Sequence, residues 1–120
     1  MKILVVDDSK TMRMIVIRTL KQAGFDGHTI IQAGDGAEAF ELIKNDPPDV
    51  VLTDWNMPEM NGLELVTKVR EAGIRVRMGF VTTESTDAAR TEARAAGASF
   101  FITKPFTPDT FEAALGELIS

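Results

Sequence analysis

The sequence predicts an α/β fold, a doubly wound sheet of five parallel strands with five helices on its two faces. Five short apolar runs alternate with helical patterns along the chain, and this alternation is typical of such sheets. The runs are apolar at consecutive positions, which indicates strands that are buried on both faces. The chain has 120 residues, the length of one domain, so we expect a single domain over residues 1–120.

The five apolar runs are the predicted strands. Each run is too short for a stable helix, and the helical patterns between the runs are long enough to connect parallel strands. The runs cover residues 3–6, 29–31, 50–52, 78–81 and 100–102.

The first helical pattern has one apolar side. Its apolar residues recur at helical spacing, and a glycine after them favours the end of the helix. The apolar residues are Met12, Ile15, Val16, Leu20 and Ala23, and the glycine is Gly24.

The last two helical patterns differ in the size of their apolar side chains. The fourth covers residues 86–96 and is apolar mainly through alanine, which fits either weak anchoring or close packing on the sheet. The fifth begins with Thr107 as N-cap and Pro108 at the first helical position. Its apolar stripe consists of Phe111, Ala114, Leu115 and Leu118.

Five strands that alternate with helices fit the strand order 2-1-3-4-5, which is the flavodoxin-like order of doubly wound sheets. Ligands of these sheets bind beyond the carboxyl ends of the strands, near the point where the strand order reverses. The residues that follow each strand are therefore the first candidates for a functional site.

The composition excludes several classes of protein. There is no cysteine, so the chain has no disulfide and no thiolate metal site. The formal net charge is −5 and the basic residues are scattered among acidic ones, which argues against a nucleic-acid partner. No apolar run is long enough to span a membrane, and the amino terminus does not resemble a signal peptide. We expect a cytoplasmic protein.

Acidic residues follow two strands that should be neighbours. Asp7 and Asp8 come directly after the first strand, and Asp54 follows the third. Three carboxylates at one edge repel each other unless a cation lies among them, and Lys104 after the fifth strand cannot balance all three. Mg²⁺ binds carboxylates, water and phosphate oxygens, so the sequence predicts a magnesium site.

Each of these residues has a simpler explanation when it is taken alone. Asp8 or Ser9 could cap the first helix, and an aspartate after a strand is often only a turn residue. The convergence of several such residues on one edge of one sheet favours a functional site.

The candidate residues favour a carboxylate nucleophile. The chain lacks cysteine, and its single His28 lies before the second strand, where an exposed turn residue is expected. An aspartate can form an aspartyl phosphate, while Mg²⁺ and Lys104 neutralise the charge of the transferring group. Thr82 at the end of the fourth strand would offer its hydroxyl to a phosphoryl oxygen.

The motifs together resemble those of bacterial response-regulator receiver domains, particularly the stand-alone CheY-type chemotaxis regulators. The similarity extends from the first strand through the fifth helix. Single motifs such as Asp-Asp or Lys-Pro are weak signals, but their combination is highly specific. The matching segments are residues 7–8 (DD), 54–58 (DWNMP), 62–65 (GLEL), 82 (T) and 104–106 (KPF).

The resemblance implies a role for each site residue. Asp54 would accept a phosphoryl group from a phosphohistidine on a sensor histidine kinase, and Lys104 would contact that group. Asp8, Asp54 and the backbone carbonyl of Asn56 would bind Mg²⁺, for which Mn²⁺ could substitute. Asp7 would act on the metal partly through water.

The resemblance also implies a conformational switch. Thr82 would move toward the phosphoryl group while Phe101 turns inward, and the face formed by the fourth helix, fifth strand and fifth helix would shift. Asn56 and Glu84 occupy the positions that tune hydrolysis in this family, so a short-lived phosphoryl group is expected. The peptide bond before Pro105 would be cis.

The implied protein is a signalling switch rather than an enzyme, and it would catalyse only its own phosphotransfer and dephosphorylation. Its partners would be a sensor histidine kinase, a flagellar motor switch protein or another output protein, and a phosphatase. It is expected to be a monomer without membrane insertion and without an output domain. A phosphorelay intermediate or another stand-alone regulator is the alternative.

The residues are compared with what two other functions require. A haloacid-dehalogenase-like phosphatase or mutase also uses an aspartate nucleophile with Mg²⁺. It needs a second aspartate two residues later, however, and this chain has Asn56 there. A metal-independent interaction module of the same fold is disfavoured because every proposed phosphorylation residue is present.

Four residues depart from the family pattern. Phe101 lacks the hydroxyl of the tyrosine that is common in chemotaxis regulators, and Thr83 replaces a frequent alanine, which would crowd the phosphorylation pocket. Asn61 replaces a frequent acid. Gly79 interrupts a strand that should be central, and glycine weakens strands.

Overall fold

The computed structural model describes residues 1–118, and the last two residues of the predicted domain lie outside the described residues. This part of the chain contains five strands, β1 (Lys2–Val6), β2 (Thr29–Ala33), β3 (Val50–Thr53), β4 (Arg77–Thr82) and β5 (Phe100–Thr103). All neighbouring pairs are parallel. The order across the sheet is β2-β1-β3-β4-β5, which confirms the predicted fold class.

Four α-helices connect the strands and a fifth follows β5, and each begins behind a capping side chain that accepts a hydrogen bond from the first turn. The helices are α1 (Lys10–Leu20), α2 (Gly36–Asn45), α3 (Gly62–Glu71), α4 (Asp87–Ala96) and α5 (Pro108–Leu115). The caps are Ser9, Asp35, Asn61, Thr86 and Thr107. After α1 one π-helical turn covers Lys21–Phe25, and Gly24 breaks the helix there with a φ of 101°, as the sequence predicts.

Two apolar layers hold the helices to the sheet. α1 and α5 pack on one face, with Leu20 and Phe111 fully buried. α2, α3 and α4 pack on the other face, where Ile43 and Leu65 are fully buried. α4 buries only two residues, and both are alanines. Within residues 1–118 no helix is long and apolar enough to cross a lipid bilayer.

The predicted apolar side of α1 is wrong at one position. Ile15 is 39% exposed, whereas Ile17 and Thr19 are buried. Residues 14–17 are all apolar, so helical spacing could not decide which of them faces the sheet.

Gly79 has a structural role that was not evident from the sequence. It pairs with Phe100 across β4 and β5, and a Cβ at Gly79 would overlap the ring of Phe100. The glycine thus makes room for a buried aromatic ring on the neighbouring strand, and burial of that ring offsets the weakness of glycine in a strand.

We predict that Gly79→Ala destabilises the fold by about 1–3 kcal/mol, the usual cost of overpacking a core. Gly27→Ala is the matched control, because a Cβ at Gly27 would meet no atom within 4 Å. Urea unfolding followed by circular dichroism measures both variants. Equal stability of Gly79→Ala and the wild-type protein would contradict this account of the packing.

Candidate functional site

Three acidic residues converge at the carboxyl ends of β1 and β3. These strands are neighbours, and Val6 pairs with Thr53 at their ends. Asp7, Asp8 and Asp54 follow, and one carboxylate oxygen of each lies within 4.8 Å of the others. The structure thus brings together the three carboxylates that the sequence places at this edge.

Asp7 is the most buried of the three and is held from two sides. Its side chain accepts a hydrogen bond from the backbone N–H of Ser9 at 2.9 Å. Its carbonyl oxygen accepts a hydrogen bond from Nη1 of Arg13 at 2.6 Å, and Nε of Arg13 donates to Gln32 at 2.9 Å. The sequence prediction missed Arg13, although its position in the first turn of α1 places it near the Asp-Asp pair. Ser9 both caps α1 and orients Asp7.

Lys104 is the one basic side chain of residues 1–118 within salt-bridge distance of these carboxylates. Its Nζ lies 3.4 Å from Oδ2 of Asp7 and 3.6 Å from Oδ2 of Asp54. The peptide bond between Lys104 and Pro105 is cis, as the resemblance implies. One ammonium group therefore faces two of the three carboxylates, and Asp8 has no salt bridge among the described residues.

The pKa of Asp7 is raised, and burial is the main cause. Burial raises the pKa of Asp7, and the nearby Asp54 carboxylate raises it further. The Ser9 N–H and the Lys104 ammonium lower this pKa without cancelling the increase. A raised carboxyl pKa means that the ionised form is disfavoured at this position.

The donor set fits a hard divalent cation. Mg²⁺ prefers oxygen ligands and usually binds one or two carboxylates with water in the remaining positions. Asp8 is exposed and the Asp54 side chain is 12% exposed, so the cluster is open to solvent mainly at Asp8. Asn56 lies exposed in the loop after β3, and its carbonyl remains a predicted ligand.

The Asp54 carboxylate has one anchored oxygen and one that faces Lys104. Oδ1 accepts a hydrogen bond from the Trp55 N–H at 2.8 Å, and Oδ2 is the oxygen nearest to Lys104. The loop then folds back, because the Gly62 N–H donates to the Trp55 carbonyl oxygen at 2.8 Å.

Asn61 caps α3 in a capping box, which gives this departure from the family pattern a structural role.

Thr82 ends β4 and is fully buried. Its carbonyl oxygen accepts a hydrogen bond from the Lys104 N–H at 2.8 Å, and its hydroxyl accepts one from the Glu84 N–H at 3.2 Å. One backbone hydrogen bond and one to the Thr82 hydroxyl thus connect Thr82 with Lys104 and Glu84 at the ends of β4 and β5. Thr83 is exposed.

Phe101 on β5 belongs to an aromatic cluster that reaches the loop after Asp54. Its ring centroid lies 5.8 Å from that of Phe80 and 6.3 Å from that of Trp55. The guanidinium carbon of Arg90 on α4 lies 4.8 Å from the centroid of the Phe101 ring. Phe101 therefore connects the Asp54 loop with α4.

His28 lies before β2, away from the carboxylates, as the sequence predicts. It is half-buried, however, so the expectation of an exposed turn residue is wrong. Its Nδ1 is 3.2 Å from the amino-terminal nitrogen, and its ring centroid is 6.4 Å from that of Phe25. These contacts give His28 a local packing role at the amino-terminal end of the sheet.

An apolar groove that the sequence did not indicate borders the site. Its volume is about 410 Å³, and its walls come from α1, the end of β4 and the segment after β5. The exposed Ile15 contributes to one wall, and Lys104 belongs to both the groove and the carboxylate cluster. The lining residues are Met12, Ile15, Thr83, Lys104, Pro105 and Phe106.

Comparisons with known proteins agree with this geometry. Residues 3–116 match the family model described as the response regulator receiver domain. A chemotaxis protein CheY homolog of Campylobacter jejuni is 47% identical over 122 residues, which cover 99% of this chain and 92% of that protein. The chemotaxis protein CheY1 of Helicobacter pylori is 45% identical, with 96% of this chain and 94% of that protein covered.

A solved structure also resembles the chain over nearly its whole length. The chemotaxis protein CheY4 of Vibrio cholerae superposes with a TM-score of 0.85 at 35% sequence identity. The match covers 98% of this chain and 97% of that one.

We predict that Asp7→Asn stabilises the metal-free fold at neutral pH by about 0.5–2 kcal/mol, the usual range of stabilising substitutions. The pKa of Asp7 is raised in the fold, so its contribution to stability is present at low pH and is lost as the pH rises through the folded pKa. Asparagine keeps an oxygen that accepts the hydrogen bond of the Ser9 N–H. It does not ionise, so the loss of stability at neutral pH disappears.

Thermal melts with a chelator, from acidic to neutral pH, measure the effect. Asp26→Asn at an exposed position is the control for the loss of one negative charge. The advantage of Asp7→Asn over the wild-type protein should shrink as the pH falls. A variant less stable than the wild-type protein at neutral pH would contradict the prediction.

Proposed function

The chain belongs to the family of response regulator receiver domains and is a CheY-like chemotaxis regulator, and we propose that it is switched by phosphorylation of Asp54. The family generally uses Mg²⁺. The observation that carries the proposal is the Asp54 carboxylate, which lies beside Lys104 and within 4.8 Å of the carboxylate oxygens of Asp7 and Asp8.

The proposed reaction is transfer of a phosphoryl group from a phosphohistidine of a sensor histidine kinase. A carboxylate oxygen of Asp54 attacks phosphorus, the P–N bond breaks, and the imidazole leaves with the electron pair and takes up a proton. Lys104 offsets the negative charge of the transferring group. Asp7, Asp8, Asp54 and the carbonyl of Asn56 would hold Mg²⁺ or Mn²⁺, which supplies further charge neutralisation.

The aspartyl phosphate would change the contacts at the ends of β4 and β5. The Thr82 hydroxyl would leave the Glu84 N–H for a phosphoryl oxygen, and Phe101 would turn inward. The face formed by α4, β5 and α5 would then bind an output protein, for which a flagellar motor switch protein is the proposed candidate.

The phosphorylated state is proposed to be short-lived. Asn56 is exposed beside Asp54, and the backbone of Glu84 contacts the switch residue Thr82. On this proposal both side chains would affect access of water or of a phosphatase to the acyl phosphate.

The groove beside Lys104 supports the proposal that the phosphoryl donor is a protein rather than a small molecule. Apolar grooves bind apolar side chains of partner proteins, and this groove shares Lys104 with the site that receives the phosphoryl group. A docked kinase domain would bring its phosphohistidine toward Asp54, whereas a small phosphodonor would not need the groove.

We predict that Mg²⁺, and then acetyl phosphate, each change the fluorescence of Trp55, the only tryptophan in the chain. The Trp55 N–H binds the Asp54 carboxylate directly, so metal binding and acylation both alter its surroundings. Asp54→Asn should abolish the acetyl phosphate response. Mass spectrometry that located the phosphate on another residue would overturn the assignment of Asp54.

We also predict that Ile15→Ser slows phosphorylation by the cognate kinase by about tenfold, equivalent to about 1.4 kcal/mol of lost apolar contact. The rate with acetyl phosphate should stay unchanged. Met14→Ser is the control, because Met14 is 45% exposed on the same helix and does not line the groove. Equal kinase rates for Ile15→Ser and the wild-type protein would refute a donor docked in the groove.

A further inference from the structure

The two helices that share one face of the sheet carry opposite charges. The sequence of α1 contains basic residues and no acid, whereas that of α5 contains acidic residues and no base. α1 and α5 are in contact, so a basic and an acidic surface lie side by side. The salt bridges among residues 1–118 use Lys2, Lys44 and Lys104 as their cations, so none of them joins the two helices. Both sets of charges therefore remain available to another molecule.

The exposed side of α1 presents one apolar side chain between two cations. Lys10, Met14 and Arg18 are four residues apart, so they follow one another along one side of the helix. All three are exposed, and Met14 keeps 45% of its surface in solvent. We call these three residues the basic stripe. Large apolar side chains are rarely left so exposed in the described part of this chain, where only Met1 and Ile15 are comparable.

The exposed side of α5 presents a small side chain between two acids. Asp109, Ala113 and Glu117 are exposed and have the same spacing of four residues. Glu117 lies just beyond α5, but the backbone of Gly116 before it is still helical, with φ −56° and ψ −35°. We call these three residues the acidic stripe. It repeats the spacing of the basic stripe with the opposite charges, and it has a small alanine where the basic stripe has a large methionine.

The positions of the two stripes in the fold allow them to pair between two copies of the chain. α1 and α5 each leave the carboxyl end of a strand of the same parallel sheet, so they run in the same direction. Lys10 and Asp109 both lie in the first turn of their helices. A two-fold axis parallel to the helices would place each basic stripe opposite the acidic stripe of the other copy, in matching order.

We propose that two copies of this chain form a weak symmetric dimer, in which the basic stripe of each copy contacts the acidic stripe of the other. Lys10 faces Asp109 of the second copy, and Arg18 faces Glu117. Met14 packs against Ala113 between these ion pairs. The two-fold symmetry repeats every contact, so four ion pairs and two apolar contacts follow from two short stripes.

A second copy fits this surface better than a partner of one charge. A uniformly acidic or uniformly basic partner would be attracted by one stripe and repelled by the other. The net charge of −5 opposes self-association, and exposed ion pairs each contribute little. We therefore expect a dissociation constant on the order of 0.1–1 mM, so that the chain is the expected monomer at lower concentrations.

The dimer would also cover part of the apolar groove beside Lys104. Ile15 follows Met14 on α1 and lines that groove. Self-association and docking of a kinase domain would therefore compete for the same side of α1. This consequence rests on the proposed function, whereas the association itself does not.

Charge reversal tests the pairing of the two stripes. Sedimentation equilibrium of the full chain is measured up to about 1 mM, in low salt, with a chelator and without a phosphodonor. Lys10→Glu/Arg18→Glu makes both stripes acidic, and Asp109→Lys/Glu117→Lys makes both basic. Each variant alone should associate at least about tenfold more weakly than the wild-type protein, because like charges then face each other. An equimolar mixture of the two variants should regain the wild-type association within about threefold, since every pair is again of opposite charge.

A matched variant separates the stripes from net charge. Lys44→Glu/Lys68→Glu makes the same change in charge at exposed positions of α2 and α3, on the opposite face of the sheet. It should associate like the wild-type protein within about threefold, and mixing it with Asp109→Lys/Glu117→Lys should not restore association. Circular dichroism verifies that each variant is folded before it is mixed.

Three outcomes would overturn the proposal: a wild-type protein that is monomeric at about 1 mM, unchanged association of either reversed variant, or a mixture of the two that does not associate. Phosphorylation by acetyl phosphate is measured in parallel on dilute wild-type protein. Normal phosphorylation of a chain that does not dimerise would refute the dimer alone. A chain that dimerises as described but is not phosphorylated would refute the proposed function and leave the dimer standing.

Discussion

The crowding of three carboxylates, of which two lie beside one lysine, is the constraint on which the rest of this structure depends. Asp7, Asp8 and Asp54 meet because β1 and β3 are parallel neighbours with paired ends. Among residues 1–118, Lys104 supplies the one ammonium group within salt-bridge distance, and it reaches Asp7 and Asp54. The strand ends cannot separate without breaking the hydrogen bonds of the sheet, so the excess of negative charge persists in the folded state. A divalent cation would relieve this excess, and the proposed phosphoryl group on Asp54 would add negative charge again, so we expect the site to be sensitive to both.

The packing around the site explains how such a local change could reach the surface. On one side, the Thr82 carbonyl oxygen accepts a hydrogen bond from the Lys104 N–H. The ends of β4 and β5 are therefore connected, and a displacement of one would move the other. On the other side, Trp55 and Phe101 connect the Asp54 loop with α4 through aromatic contacts. α4 buries only two alanines, and a helix with a small apolar contact loses little when it shifts. The site and the proposed output face are therefore linked by short steps through side chains in contact.

Most of the fold and the central part of the site could be predicted from the sequence, because both depend on local patterns. Consecutive apolar residues indicate buried parallel strands, and the strand order then brings Asp7 and Asp54 to one edge. The features that escaped prediction depend on contacts between distant segments. The exposure of Ile15 follows from the rotation of α1 on the sheet, which four consecutive apolar residues leave undetermined. The room that Gly79 gives to Phe100, and the contact of Arg90 with an aromatic ring, exist only once β4, β5 and α4 are assembled.

Titration calorimetry of Mg²⁺ into the chelator-treated protein tests the central claim most directly. The account predicts one magnesium site per chain, and it predicts that Asp8→Asn, which removes an exposed carboxylate of the cluster without disturbing the core, greatly weakens binding. Asp87→Asn, at an exposed position in the first turn of α4, should bind Mg²⁺ like the wild-type protein. A folded wild-type protein without affinity for Mg²⁺, or equal affinity in Asp8→Asn, would contradict the claim that a cation balances the clustered carboxylates.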